Sequence, residues 1–258
     1  MASLVKFMIM QTGSSELVNE ISTILLYAFI AMLFIGSAYL LLRARKVEFI
    51  SAKRILQGYA LFGICFAFTR IFFLLATYAL QVQAGYVSGS QEYIIQFFMD
   101  SIWVSSAHGV TVVSLVFIFR VVEHYMLNRK PIFTIVAFLS LCFHLLAIFL
   151  IMFDFVSYLT SSFNMPIYLF QLQVQNYEPV VQDIMIPVLG IAILVLYLVI
   201  AKGTAGSLRK KSLETFIGIL LLIFGLIFNL SIFSADFFLI LAPILFISGT
   251  ALVFYSVR

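Results

Sequence analysis

A single arginine stands in the apolar run Ile55 to Leu80 (ILQGYALFGICFAFTRIFFLLATYAL), and this residue, Arg70, constrains the fold more than any other. A bilayer crossing takes about 20 mostly apolar residues, so the run is long enough to span. A guanidinium at its centre costs about 2.5–3.5 kcal/mol on insertion scales, and more in simulations. A chain keeps such a group when it faces a bundle interior, a cavity or an acidic partner rather than acyl chains. Arg70 therefore implies several packed spans around a polar interior.

The remainder of the chain agrees. It is 64% hydrophobic and 10% charged, with a mean hydropathy of +1.15, against about 45–50% apolar and about 25% charged in a soluble domain. A compact soluble fold still exposes much of its side-chain surface, so it could not hide this composition. Seven segments are apolar enough to span: 17–42, 55–80, 94–119, 132–153, 184–201, 216–233 and 237–255. The last two are separated only by Ser234-Ala235-Asp236, which predicts a tight helical hairpin. The expected fold is all-α, a polytopic bundle of seven transmembrane helices forming one domain over residues 1–258.

Orientation follows from the basic residues. Arg43, Arg45, Lys46, Lys53 and Arg54 follow span one; Arg120, Arg129 and Lys130 follow span three; Lys202, Arg209, Lys210 and Lys211 follow span five; Arg258 ends the chain. Only Lys6 and the intramembrane Arg70 fall elsewhere. An N-terminus outside, a C-terminus inside and an odd number of spans result. The net charge of +4 then reflects topology, not nucleic-acid binding. The outer connections contain no Lys or Arg, and the longest, 154–183, is rich in Tyr, Phe and Gln and carries Asp154, Glu178 and Asp183. It reads as an interfacial segment with its rings at headgroup level, or as an ordered lid. The opening residues read as a short tail or interfacial segment. Only Ser256-Val257-Arg258 follows span seven, so no soluble output domain is expected. Cys65 and Cys142 lie inside apolar runs and match no metal spacing.

Span three is the most polar helix, with Asp100, Ser101, Ser105, Ser106, His108, Thr111 and Ser114. Residues three or four apart share a helix face, so Ser101, Ser105 and His108 form one stripe and Asp100, Thr111 and Ser114 a neighbouring one. That sector places span three centrally in the bundle. His108 and His144 fall near the middles of consecutive antiparallel spans and are expected at similar depth. Two imidazoles so placed suit axial ligation of a b-type haem, a proton relay or a ligand pocket, or hydrogen bonds to neighbouring hydroxyls. His124, beside Glu123, reads as interfacial. Asp100 is the expected acidic partner of Arg70, with Asp236 and Glu178 as alternatives. In the functional reading Arg70 is an anchor for an anion or carboxylate. Pro187, Pro243 and Asn229 suggest an irregularity of spans five to seven near the outer side.

Seven spans with the N-terminus outside resemble the microbial rhodopsins, and Asp100, Trp103 and Ser105-Ser106 are similar to that family's third-span pattern. Asp236 is loosely similar to its second counter-ion. That resemblance would imply a retinal Schiff base on a span-seven Lys, and Phe237–Tyr255 contains none, so covalent retinal is excluded. The ends of spans three and seven also lack the signatures of the eukaryotic G-protein-coupled receptors, and three scattered His do not make a seven-span zinc hydrolase.

The sequence thus predicts a receptor-like or sensory protein of the cell membrane. A small ligand is expected in an outward-facing pocket at Arg70, Asp100, Trp103, Ser105, His108 and Asn229. A separate protein partner, at the basic inner loops or within the membrane, would read the bound state. Two readings compete: a haem b-binding membrane-anchor subunit of a redox complex, with His108 and His144 as ligands, and a small transporter or proton-coupled channel. No nucleophile–base pair points to an enzyme.

Overall fold

The computed structural model describes residues 16–87, 90–160, 186–228 and 236–257. They form seven helices: α1 (Glu16–Lys46), α2 (Ile50–Ala84), α3 (Gln91–Arg120), α4 (Ile132–Thr160), α5 (Ile186–Gly203), α6 (Gly206–Phe228) and α7 (Asp236–Val257). A π-helical turn, Val121–Met126, extends α3. Six of the helices, all except α5, are long and apolar enough to cross a membrane. The described part of α5 holds a shorter apolar stretch, Val188–Gly203.

The helices outrun the apolar segments at their basic ends. Arg209, Lys210 and Lys211, expected in a loop, lie on the first turns of α6. Lys53 and Arg54 lie on the first turn of α2. Helix geometry persists there because long basic side chains have good helix propensity and reach water from the ends of a span. The 154–183 segment falls mostly outside the described residues, as do Asn229 and the Ser234-Ala235 turn.

Contacts between named residues give an alternating up-and-down order. Phe29 of α1 meets Phe66 of α2, Thr69 of α2 meets Thr111 of α3, and Phe98 of α3 meets Phe155 of α4. Gly190 of α5 faces Ile223 of α6, and Gly225 of α6 faces Phe246 of α7. The circuit closes between α1 and α7, which run parallel: Phe29 stacks on Phe246, and Gly36 packs against Phe254. This order brings the basic residues to one end of the bundle. The surface between the ends is apolar; on α4, Phe138, Phe143, Leu146, Phe149 and Phe153 are all exposed. Such a surface suits hydrocarbon, not water.

In hydrocarbon each backbone polar group must be satisfied within the protein, and three places show how. Pro243 lies inside α7 and supplies no N–H to the carbonyl one turn back. That carbonyl, on Leu239, accepts a hydrogen bond from Ser22 Oγ of α1 at 3.0 Å. At the start of α4, Glu123 accepts from the Phe133 and Thr134 amides at 2.8 and 2.9 Å and from Thr134 Oγ1 at 2.7 Å. A carboxylate there satisfies orphan donors and complements the positive end of the helix dipole. The π-helical turn and Asn128, whose φ is 49°, swing the chain round so that Glu123 reaches α4. Finally, α6 and α7 cross backbone to backbone. A Cβ on Gly249 would lie 2.6 Å from the Gly218 carbonyl oxygen, and one on Gly218 would lie 2.7 Å from that of Gly249. Small residues at a helix crossing let membrane helices gain dispersion contacts.

Two measurements check these supports. Gly249→Val should cost about 1–3 kcal/mol of stability through overpacking, read as a lowered unfolding midpoint in micelles. Glu123→Ala should cost a similar 1–3 kcal/mol by orphaning buried donors. Glu123→Gln, which keeps one acceptor oxygen, should lose less than Glu123→Ala.

Candidate functional site

Helix α2 sets the site, because two of its faces point to different neighbours at one level. Residues four apart share a face. Thr69 and Phe73 turn toward α3: Thr69 Oγ1 and Thr111 Oγ1 are 3.2 Å apart, and Phe73 meets the His108 ring edge-on at 5.4 Å. Phe66 and Arg70 turn toward α1 and α7. The guanidinium carbon of Arg70 lies 4.1 Å from the Phe246 ring centroid and 5.2 Å from that of Phe66. Phe29 stacks on Phe246 at 5.2 Å and meets Phe66 edge-on at 6.0 Å. Phe246 is seated on Gly225 of α6, where a Cβ would lie 2.8 Å from its ring. Arg70 is therefore held in an aromatic enclosure formed by α1, α2 and α7, and is only 4% exposed.

Cation–π contact of this kind contributes about 0.5–2 kcal/mol, but a ring face accepts no conventional N–H hydrogen bond in the plane of the guanidinium. Arg70 Nε and Nη2 are buried with no hydrogen-bond partner among the described residues. Lys210 pairs with Glu214 at 4.0 Å on the surface of α6.

The expected pair of Arg70 with Asp100 is not formed, and the register of the two helices explains it. Thr69 opposite Thr111, Phe73 against His108 and Gln83 Nε2 donating to the Tyr93 carbonyl at 3.4 Å place Arg70 level with about residue 110. Asp100 stands roughly ten residues further along α3, or about 15 Å at 1.5 Å per residue. The initial direction of the side chains adds to the separation. Helical Cβ atoms lean toward the helix N-terminus, so Arg70 reaches back to Phe66, away from Asp100.

The polar sector of α3 is buried as its spacing implies: Asp100, Ser101, Ser105, His108, Thr111 and Ser114 all are. Ser101 and Thr111 donate back to the Phe97 and Ala107 carbonyls of their own helix. Trp103 is half-buried and stacks on Phe72 at 5.8 Å. His108 and His144 lie side by side at one level, with ring centroids 6.2 Å apart and planes at 76°, and both are buried. The structure thus splits the expected pocket. Arg70 and the imidazole pair share a depth, but they lie against different neighbours of α2, Arg70 against Phe246 of α7 and the imidazole pair on α3 and α4. Asn229 lies outside the described residues, and the side chain of Asp236 is likewise undescribed.

The imidazole pair supplies the right donors for a bis-histidine haem, but the packing around it does not suit the macrocycle. Gly109, next to His108, brings α3 against α4: a Cβ there would lie 3.7 Å from His144 Cδ2 and 3.8 Å from Ile148 Cδ1. A porphyrin standing between the rings would cut through that helix contact. No group of three or more His, Cys, Asp or Glu side chains able to hold a metal ion is present among the described residues.

A feature the sequence reading did not find lies nearer the basic end. The Tyr59 and Tyr197 hydroxyls, on α2 and α5, are hydrogen-bonded to each other and fully buried. A second hydroxyl pair joins α6 to α7, with Thr215 Oγ1 2.5 Å from Ser256 Oγ. The two pairs join α2 to α5 and α6 to α7. The signal was present only as isolated residues on four different spans.

No family model, curated protein or solved structure matches this chain.

The geometry makes opposite demands on Arg70 as a structural and as a functional group. A buried, unpartnered charged donor costs more than the about 1–3 kcal/mol of a neutral one, which exceeds the cation–π gain. Arg70→Met should therefore raise the unfolding midpoint of the protein without ligand. Combining it with Asp100→Asn should be additive within about 0.5 kcal/mol, as for sites more than 7–10 Å apart. Thermal unfolding of the four proteins in micelles checks both.

Proposed function

We propose that this chain is a receptor-like or sensory protein of the cell membrane, threaded seven times with the N-terminus outside. It binds a small ligand at mid-bilayer depth and passes the bound state to a separate protein at its basic inner face. The observation that carries this reading is Arg70: buried, enclosed by Phe66 and Phe246, and with two donors unpartnered among the described residues. Ionisable groups at such depth are costly and mark ligand, ion or proton sites. A group retained at a cost to stability is what a binding site requires. The inner face supports the second half of the reading. Arg209, Lys210 and Lys211 project from the first turns of α6 and are exposed, close to the Thr215–Ser256 hydroxyl pair that ties α6 to α7.

The test is made in native membranes with the full chain. Replacing Arg209, Lys210 and Lys211 together by Ala should leave folding intact and abolish cross-linking to a cytoplasmic partner that wild-type protein captures reproducibly. Liposomes holding the purified protein alone should show no solute or proton flux. Flux by the protein alone would replace this reading with a small transporter or proton-coupled channel.

A further inference from the structure

We infer that Arg70 is the anchor for a lipophilic carboxylate, an apolar chain or ring system ending in one carboxyl group; this names the ligand class for the site proposed above and rests on that reading. The chemistry lies in which donors are unpartnered. Nε and Nη2 form one edge of the planar guanidinium, the edge that presents two parallel N–H groups. Both of those donors are without a hydrogen-bond partner among the described residues. Two parallel donors match the two oxygens of a carboxylate in a bidentate pair. A single hydroxyl or a halide could fill only half of that edge well.

The walls specify the rest of the ligand. Phe29, Phe66 and Phe246 are all buried, and the adjoining faces of α1, α2 and α7 carry Ile30, Leu33, Ala67 and Ala242 in the same apolar core. A hydrated anion would lose its water there with little return, whereas an apolar tail would be at home. The level of Arg70, near the middle of a 35-residue helix, also decides the source. Lipid headgroup phosphates stay at the interface, about 15 Å from the mid-plane of a hydrocarbon core about 30 Å thick. A single-chain carboxylic acid is free to sink to that depth. Nε and Nη2 are buried, so the carboxylate reaches them only as the side chains packed around Arg70, Phe66 and Phe246 among them, give way. Phe246 rests on Gly225 and is stacked on Phe29, so its displacement is felt by α1, α6 and α7 together.

The experiment uses the full-length protein in nanodiscs at a pH where dodecanoate is ionised. Dodecanoate should raise the unfolding midpoint of wild type in a saturable way, while dodecanol, chloride and inorganic phosphate should not. Arg70→Lys keeps the charge but lacks the two-donor edge, and should bind dodecanoate at least tenfold more weakly; Arg70→Met should not respond. In wild-type protein alone, carboxyl-labelled dodecanoate should show a through-space nuclear magnetic resonance contact to an arginine Nε. Equal responses to dodecanoate and dodecanol, an Arg70→Lys response equal to wild type, or a response to phosphate matching that to dodecanoate would overturn the inference. Any of these with the partner cross-link intact would leave the receptor reading standing without this ligand class. Dodecanoate binding without partner capture would do the reverse.

Discussion

A cation halfway through a bilayer must be wrapped in protein, and much of the bundle follows from how this one is wrapped. Arg70 is screened from lipid by rings from three helices, and those rings fix the spacing of α1, α2 and α7 around it. The enclosure compensates the charge by quadrupole attraction but leaves one edge of the guanidinium without acceptors among the described residues. A soluble protein would let water in at such a point. Here Arg70 lies against Phe66 and Phe246, which belong to the apolar core of the bundle.

Several polar groups elsewhere do find partners. The carbonyl released by Pro243 is taken up by Ser22, the amides that open α4 are taken up by Glu123, and Thr69 is matched with Thr111. The Ser22–Leu239 pairing joins the first and last helices, and the other two join consecutive ones, so backbone and hydroxyl satisfaction also helps to specify which helix lies next to which. Ser37 Oγ, Arg43 Nη1 and Thr250 Oγ1 are also buried without hydrogen-bond partners among the described residues, and the edge of Arg70 differs in presenting two such donors side by side at mid-span. Local exceptions to otherwise consistent structure are where function is expected.

Much of the architecture was legible in the sequence because a span's length and hydropathy are local properties. The helices lie where the apolar runs lie, extended by basic residues that the bilayer boundary tolerates. The burial of Asp100, Ser105, His108 and Thr111 followed from their spacing on one helix, and the level match of His108 with His144 followed from counting residues on consecutive spans. The pairing of Arg70 with Asp100 did not follow. It depends on the relative slide of α2 and α3, which is set by a short connection and side-chain packing that no single helix reveals. Two residues adjacent in a helical-net sketch can be three turns apart in a bundle. The aromatic enclosure and the Tyr59–Tyr197 hydroxyl pair were hidden for a related reason: each is assembled from spans far apart in the chain. Phe and Tyr are so frequent here, with 29 Phe and 12 Tyr, that no individual ring stands out.

The glycine crossing of α6 and α7 has a mechanical consequence. Two helices whose main chains touch at Gly218 and Gly249 have no intervening side chains to shear, so they are coupled like the blades of closed tongs. The pivot lies between Phe246, toward one end, and the cationic first turns of α6 at the other. Displacement of that ring would bear on a pair of helices in backbone contact rather than on α7 alone.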